Sequence, residues 1–240
     1  MAETKSSPVV FDKQPYRNIF VALVVVILID ALMPNVFARG RIADLMLATV
    51  MVVALVETVR TRHNFWPALI LGLPAVLLRV VAAFTTDSPK MNTTLVTVTA
   101  LFMVFLIWNL LHDLAAGGRP TGERIFGALC AYVFIGLLFA LFYAHMEYRE
   151  PESFLISQAI LGGDTTVESN LYSTFTYFSF VTLTTLGYGD ITPVAEHART
   201  LAWFEALLGQ LYLAVMVAGF VAVHISERMS SDRGDSPSDK

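Results

Sequence analysis

Nine residues, Thr182-Leu-Thr-Thr-Leu-Gly-Tyr-Gly-Asp190, place three threonines, two glycines and a carboxylate between two hydrophobic segments. That composition weakens a membrane helix, and non-helical backbone at membrane depth is tolerated only where it is buried in protein or lines a water-filled path. Gly187 and Gly189 permit the unusual backbone angles that aim successive carbonyls toward one axis. Stacked carbonyls supply the oxygen shell that a dehydrated cation needs. The chemistry on offer is therefore ion coordination. One loop gives too few oxygens at each level, so several chains must converge on a shared axis.

The elements around the stretch must present it from within the membrane. Leu171 to Leu183 is apolar but only about 13 residues long, too short to span and suited to a re-entrant helix. Ser169 and Asn170 are placed to cap it. Running to about Thr184, it would point its partially negative C-terminal end toward the membrane centre. The chain must then turn back outward over Thr185 to Asp190.

The whole chain fits that setting. Of 240 residues 55% are hydrophobic and 15% charged, with mean hydropathy +0.62. Soluble domains carry about 25% charged residues, so the sequence predicts an integral membrane protein. The net charge of −4 gives no hint of nucleic-acid binding. The single cysteine, Cys130, cannot form an intrachain disulfide. No removed signal peptide and no soluble regulatory domain are expected.

Six stretches approach the roughly 20 apolar residues that a membrane helix requires: those around 18–37, 42–59, 65–84, 93–114, 124–146 and 200–225. The first is interrupted by Asp30 and Pro34. With both termini cytoplasmic, ten of the 16 Lys and Arg residues fall on the inner side and five on the outer, Arg79 lying within a span. Basic residues favour the cytoplasmic side, so the re-entrant segment dips in from outside.

The run "FSFVTLTTLGYGDITP" resembles the pore loop of the tetrameric potassium channel family, whose filter reads T-V-G-Y-G-D, and is most similar to the bacterial and two-pore-domain members. The likeness covers Arg124 to Ser226. It implies an all-α membrane protein with six transmembrane helices, a re-entrant pore helix and a selectivity-filter loop, assembled as a homotetramer in membrane lipid, in a bacterial inner membrane. It implies K+ as the transported ion, no organic cofactor and no chemical step. By the resemblance, Thr185 contributes its hydroxyl and carbonyl to the innermost site, and Leu186, Gly187 and Tyr188 contribute carbonyls farther out. Gly189 and Asp190 end the filter, and Asp190 anchors it from behind.

Two departures from the family pattern affect the filter's support. Leu186 replaces the usual valine, which alters packing. Tyr177 and Phe178 stand where a Trp-Trp pair is common, so only the Tyr177 hydroxyl can reach Asp190. Val181 occupies the position of a pore-helix glutamate found in some members. Thr184 is a further supporting residue.

The expected organisation is a cytoplasmic segment 1–17, a four-helix domain 18–114, a linker 115–123, a pore domain 124–226 and a disordered tail 227–240. Within the pore domain lie the pore helix 171–184, the filter 185–190 and the inner helix 200–226. Gly209 lies where the family places a bending glycine, and Gly219 is a second candidate hinge. Val217, Phe220 and Val221 are candidates for a hydrophobic constriction. Glu205, an ionisable group inside the inner helix, is a candidate partner behind the filter, and Gln210 is expected to bond a neighbouring helix. The small residues Gly136, Ala140 and Ala144 favour a close contact of the outer helix.

Voltage sensing needs several charges within the field, usually on an arginine-rich fourth helix. The fourth span has no Lys or Arg between Thr93 and Asp113, which excludes a conventional sensor. Asp30 and Arg79 lie at similar depth, ~20 Å above the inner surface at 1.5 Å per residue, and Asp44 reaches that level from outside. An Arg79 ion pair with Asp30, Asp44 or both is expected, holding the first three helices together. His112 and Asp113 read as a solvated interfacial pair. Glu147, Glu150, Glu152, Asp164 and Glu168 in the outer loop would concentrate cations at the mouth.

Alternative functions are a weakly selective cation channel of the same architecture and a potassium transporter subunit. The latter calls for four degenerate filter loops in one chain, and one is present. An intramembrane enzyme lacks a Ser/His or paired-Asp arrangement.

Overall fold

The computed structural model describes residues 15–32, 40–60, 65–84, 89–115, 122–157 and 171–234. Seven helices and two short strands occupy them. These are α1 (Pro15–Leu32), α2 (Gly40–Arg60), α3 (Phe65–Phe84), α4 (Pro89–Ala115), α5 (Gly122–Arg149), β1 (Phe154–Ile156), α6 (Leu171–Leu183), β2 (Ile191–Pro193) and α7 (Glu196–Gly234).

Four helices have stretches long and apolar enough to cross a membrane: Phe65–Ala82, Thr93–Ala115, Gly122–Arg149 and Glu196–Ala222. The apolar stretches described in α1 and α2 are shorter, Tyr16–Ile29 and Leu47–Val56. This is a membrane protein. Pro15 opens α1, where a missing N–H costs nothing and the fixed φ suits a helix start. Glu123 in the first turn and Arg149 in the last turn of α5 complement the helix dipole.

The first four helices form a bundle against α5, through α1 and α4. Its core joins Leu23 of α1, Met51 of α2, Phe102 and Met103 of α4 and Phe134 of α5. At the α1–α5 end, the Tyr16 hydroxyl donates to Asp113 and the Tyr16 N–H donates to Glu123 at 3.1 Å. Asp113, expected as half of a solvated pair, does lie 3.9 Å from His112 and is exposed, but it also ties α4 to α1.

Arg79 is 5% exposed in the bundle. Its Nε donates to Thr99 Oγ1 at 3.3 Å, and its guanidinium carbon lies 6.0 Å from the centre of the Tyr172 ring. Arg79 therefore reaches the first turn of α6. The side chains of Asp30 and Asp44 lie outside the described residues.

Two features differ from the expected organisation. β1 and β2 form an antiparallel two-stranded ribbon with Leu155 opposite Thr192, closing the segment after α5 onto the one that follows Asp190. α7 begins at Glu196 rather than 200 and continues to Gly234, into the segment expected to be a disordered tail from 227. At 39 residues it extends about 58 Å, well beyond the thickness of a bilayer's hydrocarbon core. The helix continues without interruption through Gly209 and Gly219.

Candidate functional site

α6 starts at Leu171 and ends at Leu183. Ser169 and Asn170, its expected caps, and the loop carboxylates Asp164 and Glu168 lie outside the described residues. The helix ends in a specific terminating geometry. The Thr185 N–H donates to the Thr182 carbonyl and the Leu186 N–H to the Val181 carbonyl, both at 2.9 Å. Those two bonds form a Schellman motif, whose C′ residue adopts the left-handed conformation and is usually glycine. Here it is Thr185, with φ 59°. A β-carbon in that conformation costs roughly 1–2 kcal/mol, so the position carries a hydroxyl at a backbone expense.

Gly187 and Gly189 come next with φ 58° and 76°. Leu186 and Tyr188 between them have no positive φ. In an extended strand successive carbonyls point to opposite sides. Alternating hands of φ turn successive peptide units the same way, so that N–H groups gather on one side, as in anion-binding backbone concavities, and carbonyls on the other. The loop from Thr185 to Gly189 has that alternation at every residue.

Asp190 ends the loop. Its Oδ2 accepts from the Tyr177 hydroxyl at 2.5 Å and its Oδ1 from the Ile191 N–H at 3.0 Å, while its carbonyl accepts from the Ser157 N–H at 2.9 Å. It thus joins α6, the filter-like loop and the β-ribbon. Phe178, paired with Tyr177 in the sequence, turns the other way. It is buried with Tyr143, Phe154 and Phe175, and ring centres in this group lie as close as 4.7 Å. Phe178 supports the ribbon and α5 rather than the loop directly. Thr184 is exposed, and its hydroxyl donates to the Phe180 carbonyl within its own helix.

Glu205 is completely buried. It does not meet Asp190. Its Oε2 accepts from the Tyr143 hydroxyl at 2.7 Å, and Ser179 Oγ lies against its Oε1. Ser179 Oγ also donates to the Gly136 carbonyl at 2.7 Å. Three helices, α5, α6 and α7, therefore meet at one carboxyl. A hydroxyl has one proton, and Ser179 faces two acceptors. A neutral Glu205 completes the set, its O–H donating to Ser179 while Ser179 donates to Gly136. The expected close contact at Gly136 is with α6, where a β-carbon would lie 2.9 Å from Phe180.

On α7, Gly209 packs against the end of α6. Gln210, expected to bond a neighbouring helix, donates from Nε2 to Thr185 Oγ1 at 3.0 Å. Gly219 has open space around it. Val217 and Val221 are exposed and form no closure within one chain. At the end of α5, Glu147 accepts from the N–H groups of Glu152 and Phe154 at 3.0 and 3.1 Å, so its carboxylate shapes the turn into β1. Glu150 lies 3.5 Å from His197. Among the described residues no cluster of His, Cys, Asp and Glu could hold a metal ion.

Residues 128–225 match the family model described as "Ion channel". The matched region takes in most of α5, the ribbon, α6, the filter-like loop and α7 as far as Ile225. No curated protein and no solved structure matches the chain. The match supports an ion channel, and not an enzyme, as the function. Within the ion-channel region, the Schellman end of α6, the Asp190 bonds and the Glu205 junction all bear on one five-residue loop. Sequence alone does not mark Tyr143, Ser179, Tyr132 or Thr185's backbone. Tyr132, whose hydroxyl donates to the Leu183 carbonyl at 3.2 Å, looks like any aromatic residue in a membrane helix.

Proposed function

We propose that the protein is a potassium-selective channel that conducts passively as a homotetramer. The observation that carries this reading is the alternation of φ at Thr185, Gly187 and Gly189. It gives the loop the backbone needed to present carbonyls of Thr185, Leu186, Gly187 and Tyr188 on one side. Four copies around an axis would stack those carbonyls with the Thr185 hydroxyls into rings that replace the water around K+. Several sites of moderate strength in series, with repulsion between ions, permit rapid exit. Asp190 and Tyr177 hold the outer end of this filter.

Exposure within the single chain favours assembly. Leu186 and Tyr188 are 56% and 66% exposed, and Gly187 and Gly189 have nothing within 4 Å of an added β-carbon. Large apolar side chains of α7, Trp203, Leu207, Leu211 and Val215 among them, are also exposed. Neighbouring subunits would cover both sets.

In this reading six helices span the membrane, both termini are cytoplasmic and α6 enters from outside. Residues 18–114 form a non-voltage-sensing domain, and 124–226 the pore. The same reading pairs Arg79 with Asp30, Asp44 or both, beside its contacts with Thr99 and Tyr172. A weakly selective cation channel is the second reading. It is favoured by the lack of a donor on Phe178, which leaves the Tyr177 hydroxyl as the only side-chain donor to Asp190 among the described residues.

The test is Gly187→Ala in liposomes loaded with K+. A β-carbon at φ 58° costs roughly 1–2 kcal/mol and biases the loop away from its alternation, so K+ flux should fall about tenfold while the protein still folds. Wild-type flux in the variant would overturn the proposal.

A further inference from the structure

We infer that Gln210 is a specificity-determining residue of the innermost cation site, fixing the Thr185 hydroxyl and offering its own amide carbonyl to an ion arriving along α7. The inference rests on the reading of Thr185 as a cation ligand. It adds a side chain from a different helix to that site.

Three observations converge on the pair. The first is the bond itself, Gln210 Nε2 to Thr185 Oγ1 at 3.0 Å. A primary amide has two donor hydrogens and a carbonyl acceptor, and among the described residues this is the one hydrogen bond the Gln210 side chain makes. Its Oε1 is left over. The second is the neighbouring residue. A β-carbon on Gly209 would lie 2.1 Å from the Leu183 carbonyl oxygen, so α7 rests directly on the end of α6. The register of Gln210 with Thr185 is set by that backbone contact, and a long side chain is not left to find its partner alone.

The third is the absence of competing polar groups. Between Ala206 and Ala222 the only polar side chains on α7 are Gln210 and Tyr212. The Tyr212 hydroxyl donates to the Ala128 carbonyl at 2.6 Å and is turned into α5. Gln210 and Thr185 are both exposed in the single chain. Between Ala222 and Thr185, an ion moving along α7 helices meets Gln210 as the one side-chain oxygen that α7 offers without a bond to α5.

The chemistry rests on the donor count. By accepting from Gln210, Thr185 Oγ1 commits one lone pair and fixes its rotamer, which leaves the second lone pair for a cation. The free Gln210 carbonyl is a neutral dipole. It can replace part of the hydration of a monovalent cation without the stronger hold that a carboxylate would exert on a divalent one.

The experiment is single-channel recording in planar bilayers, with Ba2+ added on the α7 side as a probe close to K+ in size and twice its charge. Gln210→Leu removes both donor and carbonyl and should weaken Ba2+ block about three- to tenfold, the range expected for loss of one hydrogen-bonding partner. It should also lower K+ over Na+ selectivity. Gln210→Glu, of the same size, should strengthen the block, and it carries the test if the leucine variant does not assemble. In a Thr185→Val background the Gln210→Leu effect should disappear, because the two residues act as one unit. Wild-type block and wild-type reversal potential in both Gln210 variants would overturn the inference and leave the channel reading intact. A wild-type protein that neither separates K+ from Na+ nor responds to Ba2+ would overturn both.

Discussion

Gly209 sits so close to Leu183 that a β-carbon on the glycine would lie 2.1 Å from the leucine's carbonyl oxygen. That contact joins the inner helix to the end of α6, at the level where the filter-like loop begins. Gly209→Ala must separate the two helices, an overpacking cost of about 1–3 kcal/mol. The expected outcome is a lower unfolding temperature of the purified protein in detergent together with reduced K+ flux. Gly219→Ala, at a position with open space around it, should leave the unfolding temperature unchanged. Equal effects of the two substitutions would contradict the packing role assigned to Gly209.

Tyr177 supplies the only side-chain donor to Asp190 among the described residues. A hydrogen bond to a charged acceptor contributes roughly 1.5–3 kcal/mol when well formed. Tyr177→Phe removes the hydroxyl and keeps the ring, so open-state lifetimes in single-channel records should shorten severalfold. Unchanged lifetimes would show that Asp190 is held adequately by the Ile191 N–H and the ribbon.

The Glu205 junction makes a prediction about protonation. If the carboxyl is neutral, Gln reproduces its pattern, with the amide N–H donating to Ser179 and the carbonyl accepting from Tyr143. Glu205→Gln should therefore unfold within about 1 kcal/mol of the wild type, since the hydrogen bonds on both sides are kept. Glu205→Leu leaves the Tyr143 hydroxyl buried without its acceptor and should cost ~1–3 kcal/mol. Adding Tyr143→Phe to the leucine variant should restore part of that loss. A Gln variant as unstable as the Leu variant would mean that Glu205 is ionised.

Much of this organisation is legible in the residues. Hydropathy locates the long helices, and the short apolar run ending at Leu183 announces a helix that does not span. Gly187 and Gly189 signal left-handed backbone because only glycine takes it without cost. Thr185 carries no such signal, since its conformation is imposed by the Schellman bonds to Val181 and Thr182. The ribbon is illegible for a different reason. Three residues per strand are too few for an alternating pattern, and the pairing of Leu155 with Thr192 is non-local. Tyr143 and Ser179 are unremarkable within their own helices and acquire a role only when α5, α6 and α7 meet at Glu205. Gln210 is legible in part. An amide inside a membrane helix calls for a polar partner, but that the partner is Thr185 is set by the contact of Gly209 with α6.

The central claim is that the loop from Thr185 to Gly189 selects K+. The most direct measurement is the reversal potential of purified protein in planar bilayers, with K+ on one side and Na+ on the other. The account predicts a value close to the K+ equilibrium potential. A reversal potential near zero, with equal currents carried by both ions, would contradict it.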